Sequence, residues 1–349
     1  MSTEPADTFL NRVESVESRF NSLQDDIALR WVNDDIGAMD SQLHDLPSSI
    51  QQVRSRGYIF KSYLEKKTEA LASQWDELRP RVVSAVDEQS RDLRYQSDLF
   101  RQRLPFLRPN RSEMELSTAE SSLRDLESRV SAAKDTIQGM YETLKGNVRQ
   151  TVDQVKEVAW VLDEVDGATF KLYPAECVVS AVKAQWMTSE KEGQKGIFYL
   201  TDERVLFEQE EEVATKKVLF IATEKKKVQE LEWEAPLSQI ESAQASEKGG
   251  AILGIGKKEI LEFNFGSSVR VRSALLRLEA DSDAWQALIG RVKSGDIAGE
   301  RTVPKDKTVV EAARAAPTKC TTCGATITQA VVKGMTEIKC EYCGAIIRL

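Results

Sequence analysis

Histidine is almost absent from this chain: His44 is the only one among 349 residues. A histidine-based triad, proton shuttle or imidazole-rich metal site therefore has nothing to build on. Long apolar runs are missing too, since no stretch approaches the roughly 18 uninterrupted apolar residues of a membrane-spanning helix. The N-terminal MSTEPADTF is acidic and polar, without the basic and apolar regions of a secretory signal. Cysteine is scarce, at five residues. With no such signal, the expectation is a cytoplasmic protein whose thiols stay reduced and serve metal binding or chemistry. Positive charge is in deficit, the net charge being −8, and the deficit is local. Residues 1–166 hold 22 Lys+Arg against 30 Asp+Glu, and residues 167–349 hold 26 of each. An acidic surface repels phosphates, which disfavours nucleic acid and anionic lipid as partners of the N-terminal half.

What is present reads as a multidomain α+β chain. Residues 1–166 have the pattern of an elongated helical, coiled-coil region. Phe9, Val13, Val16, Phe20, Leu23, Ile27 and Trp31 recur at three- and four-residue steps and share one stripe. The proline and serines of Leu46-Pro47-Ser48-Ser49 predict a break there, and a second helix follows through Val53, Ile59, Leu64, Leu71, Trp75 and Leu78. Pro80 is expected to kink or end it, and the chain to turn at Leu104–Pro109. A third helix, with Ser117-Thr118-Ala119-Glu120 resembling a capping box, carries the seam Leu123, Leu126, Val130, Ala133, Ile137, Met140, Leu144. The seam then slips to Val148, Val152, Val155, Ala159 and Leu162, a stutter after Leu144. The expected arrangement is an antiparallel bundle that also serves self-association. A membrane-bending bundle would need a basic concave face, and only Arg101, Arg103, Arg108 and Arg111 cluster.

From Asp166-Gly167 the period changes to two. Strands are predicted at 177–182, 197–200, 204–207, 218–222, 228–233, 240–245, 259–265 and 269–272, with Asp202-Glu203 as a tight turn. An amphipathic helix over 281–292, capped at Asp281, carries Trp285, Leu288, Ile289 and Val292 on one face. About seven antiparallel strands and this helix predict a small β-barrel plugged by its C-terminal helix. Gly196-Ile197-Phe198-Tyr199-Leu200-Thr201-Asp202-Glu203-Arg204-Val205-Leu206-Phe207 resembles the second and third strands of GRAM and bacterial PH-like domains. Pro236-Leu237-Ser238-Gln239-Ile240 and Ala284-Trp285-Gln286-Ala287-Leu288-Ile289 are similar to a later strand and the closing helix of those domains. The resemblance implies a PH-like domain over 167–297, of a kind that binds phosphoinositides or other lipids in some members and proteins in others. This stretch departs from a generally basic lipid-binding surface, with 18 basic and 21 acidic residues over 168–297. Lys225–Lys227 and Lys257–Lys258 offer a local phosphate site or, as lysine groups on loops commonly are, solvated turns. Residues 298–317, bounded by Pro304 and Pro317, read as a linker, with a short helix at 309–316 as an option.

The C-terminal segment, 318–349, carries the most specific signal. Cys320-Thr321-Thr322-Cys323-Gly324 and Cys340-Glu341-Tyr342-Cys343-Gly344 are matched C-x-x-C-G units sixteen residues apart, the spacing of a zinc ribbon. A two-residue gap lets both sulfurs of a tight turn point at one ion, and two such turns complete a tetrahedron. The glycines permit the positive φ such turns need. Strands are expected at 326–332, 336–339 and 345–349. So short a segment buries too little core to fold alone, so one structural Zn²⁺ held by Cys320, Cys323, Cys340 and Cys343 supplies the folding free energy.

Other motifs fail on spacing. Gly249–Lys258 lacks the first glycine and the Ser/Thr of a P-loop, and Glu259 stands where a dinucleotide fingerprint needs its third glycine. Cys177, in an apolar strand, reads as a core residue rather than a nucleophile. The sequence therefore predicts a non-enzymatic adaptor or scaffold that binds protein partners, with no catalytic residues. The alternatives are a peripheral membrane protein whose PH-like domain recognises lipid head groups, and nucleic-acid binding through the ribbon. The second is disfavoured, because four basic and two acidic residues over 318–349 leave no positive field beside a four-thiolate site.

Overall fold

The computed structural model describes residues 4–189, 192–218, 221–248, 258–306, 308 and 317–349. The side chains of 4–7, 212–227 and 248 fall outside that description, as do the glycine-rich run 249–256, Lys257 and the segment 309–316 proposed as a helix. Two compact units emerge, one of residues 1–50 with 64–154, the other of 51–63 with 155–349.

The first unit is an up-down-up bundle. Helices α1 (Glu4–Ser22), α2 (Gln24–Ile27) and α3 (Arg30–Ser55) run one way, and α4 (Leu64–Arg101) runs back. After the short α5 (Leu104–Asn110), α6 (Glu113–Gly167) runs parallel to α1. Polar contacts fix the directions. Arg12 to Glu120 and Arg19 to Glu127 share a separation of 108 residues, as only a parallel pair can. Between α2 and α4 Arg101 donates to Gln24, and between α3 and α4 Arg79 donates to Asp40, separations of 77 and 39 that shrink along the chain as an antiparallel pair requires. Inside, Phe20 meets Phe100 with ring centroids 4.9 Å apart. The Trp75 Nε1–H donates to Asp40 at 2.7 Å, and the Tyr141 hydroxyl to Asp35 at 2.9 Å.

The breaks fall elsewhere than the prolines suggest. The first stripe is interrupted at Leu29, a fully buried residue with φ of 49°. Pro47 and Pro80 lie inside α3 and α4. Around Pro47 the Ser48 and Ser49 hydroxyls both donate to the Asp45 carbonyl, at 2.8 and 3.0 Å, engaging an acceptor beside the proline. The long helix begins at Ser112, whose Oγ accepts from the Glu115 N–H at 3.3 Å, so the N-terminal cap is Ser112 rather than Ser117. Its buried seam reads Leu116, Ala119, Leu123, Leu126, Val130, Ala133, Ile137, Tyr141, Leu144, Val148, Thr151, Val155, Val158, Leu162. The extra four-residue step thus falls between Ile137 and Tyr141, two turns before the predicted stutter, because Tyr141 rather than Met140 enters the core.

The second unit is built on seven antiparallel strands. They are β1 (Val178–Met187), β2 (Gly193–Thr201), β3 (Arg204–Val218), β4 (Ile221–Pro236), β5 (Ile240–Lys248), β6 (Lys258–Phe265) and β7 (Ser273–Leu278), in the order β4-β3-β2-β1-β7-β6-β5. The predicted strand 228–233 lies in β4 of one long hairpin, β3–β4; of the predicted strand 218–222, Val218 ends β3 and Ile221 begins β4, and 219–220 lie outside the described residues. The strand expected at 269–272 is a turn, and the strand follows it. Edge strands β4 and β5 are not paired with each other, so the ladder stays open where a closed barrel was expected. The sheet nevertheless curls over its core: Trp233 of β4 meets Phe265 of β6 at 5.6 Å, and Phe198 of β2 meets Phe263 at 5.5 Å. Helix α7 (Ser282–Ser294) covers this core with Trp285, 5.4 Å from Phe198, and with Ile289 and Val292. Its cap is as read from the sequence, Asp281 accepting from the Ala284 N–H, and Gly295 closes it at φ of 86°. The other sheet face is covered by residues 51–63 and the last turns of α6, where the Tyr58 hydroxyl donates to the Val179 carbonyl at 3.2 Å. Gly196 is obligatory on β2, since a Cβ there would lie 1.9 Å from the Glu208 carbonyl oxygen.

The C-terminal segment holds a two-stranded ladder, β8 (Glu337–Lys339) with β9 (Ile346–Arg348). Residues 326–332 form no strand. Only a single bridge, Lys319 to Thr326, pairs there.

Candidate metal centre

Two near-identical turns build the cysteine cluster. In the first, the Cys320 N–H donates to the Ala325 carbonyl at 2.8 Å and the Gly324 N–H to the Cys320 carbonyl at 2.9 Å. In the second, Cys340 and Ala345 pair at 2.9 Å and Gly344 and Cys340 at 2.8 Å. Gly324 and Gly344 adopt φ of 73° and 72°, the left-handed geometry that the two glycines were expected to supply. The turns face each other and bring all four sulfurs within 4.8 Å of one another. Cys320 and Cys343 lie 3.6 Å apart, and Cys323 and Cys340 3.7 Å. A tetrahedron with metal–sulfur bonds of about 2.3 Å has edges of about 3.8 Å, so the four residues fit one thiolate-bound ion. Cys320 and Cys340 are buried, and Cys323 and Cys343 lie at the surface.

Local donors polarise the quartet. The backbone N–H groups of Cys323 and Thr322 hold the Cys320 thiol down to about 6. Cys343 goes the other way, to about 12: the Ala345 N–H works downward, but hydrogen bonds with the Cys323, Cys320 and Cys340 thiols outweigh it. Without a metal the four sulfurs share protons, and an ion binding here displaces them.

A second polar constellation, unread in the sequence, gathers around the β2–β3 turn. The Thr201 hydroxyl donates to Glu176 at 2.7 Å. Arg204 grips the same carboxylate with Nε and Nη2 at 2.9 and 3.0 Å, donates to the Lys171 carbonyl, bonds Glu234, and lies 3.8 Å over the Tyr173 ring. Glu176 is fully buried. Asp202 accepts from the Cys177 N–H at 2.8 Å, from Arg301 at 2.7 Å and from Lys305 at 3.2 Å. Each member is spent on another. The readable signal was Glu176 standing between a turn and an apolar strand, where an unpaired carboxylate would be costly.

The remaining candidates do not converge. Cys177 is half-buried with its thiol pushed up by burial. His44 lies exposed on α3, and Lys258 is exposed at the start of β6. Lys225–Lys227 lie on β4 with side chains outside the described residues. A cavity of about 920 Å³ opens beside β1, β2, β3 and β7, between Lys183, Lys195 and Arg277 on one hand and Glu164, Glu210 and Glu279 on the other. Its charges are of both signs and offer no anion-selective field. Among the described residues no helix is long and apolar enough to cross a membrane.

No family model and no curated protein matches this sequence. Among solved structures, the chain is similar to the DH/PH domains of p115-RhoGEF at 12% identity, over 83% of this chain and 95% of that one, with a TM-score of 0.22. It is similar to a complex of human RhoA with the DH/PH fragment of PDZRHOGEF at 9% identity, over 82% and 95%, with a TM-score of 0.25. It is also similar to the C-terminal domain of an unknown protein from Leishmania infantum at 12% identity, over 34% and 84%, with a TM-score of 0.20. Superpositions this loose assign neither fold nor function.

Proposed function

We propose that this chain is a non-enzymatic cytoplasmic adaptor, joining protein partners through a helical bundle, a PH-like module of the GRAM kind and a zinc ribbon. The observation that carries this reading is the four-sulfur shell: four ligands at tetrahedral spacing leave no open position for water or substrate. The ion, proposed as zinc, is then the fold of residues 318–349 and not a reaction centre. That small head presents Tyr342 at 77% exposure and Ile346 at 62%. An exposed aromatic and an exposed aliphatic side chain suit a protein surface. The PH-like reading is supported by a four-strand and a three-strand meander joined by β1–β7 pairing and covered by a C-terminal helix through Trp285.

The test is affinity capture from lysate of the native host, using the full chain and a Tyr342→Ser/Ile346→Ser variant. The reading expects a discrete partner that the variant loses while keeping its metal. Capture no richer than that of an unrelated helical protein contradicts it.

A further inference from the structure

Between its two cysteine turns the C-terminal segment makes a third turn, over residues 332–335. The Met335 N–H donates to the Val332 carbonyl at 3.0 Å, and Gly334 adopts φ of 81°. This turn reaches back to the strand-forming part of its unit, where the Lys333 N–H donates to the Leu172 carbonyl at 2.8 Å. The Lys333 ammonium lies beside Gly57, where a Cβ would meet its Nζ at 4.0 Å. Lys333 and Cys177 together line two cavities, one of about 320 Å³ beside Ala175 and Pro304, the other of about 260 Å³ beside Phe170 and Val178. The turn thus bridges a groove in which Cys177 is half-buried. Burial and Asp202 push the Cys177 thiol up, while Arg301, Lys333 and Lys305 oppose them, so the Lys333 charge acts at the sulfur.

What holds this turn in place is the cysteine shell. Strand β8 leads from the turn to Cys340, and β9 follows Ala345. The Leu349 N–H donates to the Thr336 carbonyl at 3.0 Å, which carries the pairing back to the turn. Two strands of three residues are marginal without support. The buried cluster of this segment is Cys320, Cys340 and Ile347, so two of its three members are metal ligands. Without the ion the cluster loses its organisation, and with it the register that aims Lys333 at Leu172. The start of the tether is held separately, by Arg301 and Lys305 on Asp202. We propose that the C-terminal segment is a metal-dependent lid: with an ion in the four-thiolate shell, the 332–335 turn closes over the Cys177 groove, and loss of the ion opens it while the chain stays tethered at Asp202. The proposal rests on the metal shell and not on the adaptor reading.

The test is alkylation of the full chain by N-ethylmaleimide, with the labelling rate of Cys177 read by peptide mass spectrometry and zinc per chain assayed in the same samples. Chelation should speed labelling of Cys177 at least about tenfold, because thiol reactivity follows access. Lys333→Pro removes the donated N–H, and Gly334→Val strains the turn at its positive φ. Both variants should speed labelling of Cys177 by a similar factor while keeping their zinc. The helical circular dichroism should be unchanged throughout. Zinc-bound protein in which Cys177 labels equally fast in the native chain and in both turn variants overturns the lid and leaves the shell standing. So does chelated protein in which Cys177 stays as slow as before. A chain that holds no zinc and still shields Cys177 overturns the lid and the shell together.

Discussion

Asp202 Oδ2 accepts a hydrogen bond from Arg301 Nη1 at 2.7 Å across 99 residues of sequence. Both side chains are nearly closed to solvent, at 5% and 9%. The contact ties the β2–β3 turn to the chain leaving α7, and Lys305 reinforces it. Residues 301–306, part of the linker expected over 298–317, are held to the sheet unit, with the Thr302 N–H donating to the Ile59 carbonyl at 2.7 Å.

Removing that anchor should free the segment. Asp202→Ala leaves the Arg301 guanidinium and the Cys177 N–H without their acceptor, a loss of about 3 kcal/mol in the sheet unit. Denaturant titration of tryptophan fluorescence measures it. Limited proteolysis should show new cleavage near residue 301, whereas Lys305→Met, at a more exposed position, should change little.

The Glu176–Arg204 pair should behave as a buried ion pair. Glu176→Gln keeps the shape but leaves Arg204 with Glu234 as its only charged partner, at a cost of about 3 kcal/mol. Glu176→Gln with Arg204→Met should recover part of that loss. A double-mutant cycle with no coupling would remove the pair from the account.

The position of the extra seam step separates two neighbouring residues. Tyr141 is 1% exposed and donates to Asp35, whereas Met140 lies only half-buried. Tyr141→Ala should cost about 3 kcal/mol. Met140→Ala should cost less than about 1 kcal/mol. Urea unfolding followed by circular dichroism decides, and equal losses would restore the regular heptad.

The metal site should be lost on acidification. Thiolates bind metal and thiols do not, so falling pH protonates the quartet and releases the ion, and rising pH favours binding. The Cys320 thiol, held down to about 6, keeps its charge lowest in pH. Zinc release followed with a chromogenic chelator should accompany loss of the dispersed amide resonances of 318–349. Cys340→Ser should show the same loss at neutral pH and leave the helical signal intact.

How much the sequence disclosed depended on the range of the interaction. The cysteine turns are local: two residues set the sulfur spacing and one glycine the backbone, so Cys320, Cys323, Cys340 and Cys343 could be grouped before any fold was known. The Asp281 cap and the Trp285 face of α7 are equally local. Pro47 and Pro80 misled because propensity is a weak prior, overridden once the flanking turns bury Leu46, Ile50, Trp75 and Val82. The open sheet edge and the anchors at Asp202 and Glu176 were illegible for another reason. They join residues 25 to 103 positions apart, where no periodicity connects the partners.

The central claim is that residues 318–349 are organised by a closed four-thiolate metal shell. X-ray absorption at the zinc edge, on protein purified without chelator and assayed for metal per chain, tests it most directly. One zinc per chain with four sulfur neighbours at about 2.3 Å is the predicted result. A metal-free chain that keeps its fold, or a shell containing oxygen or nitrogen, would contradict it.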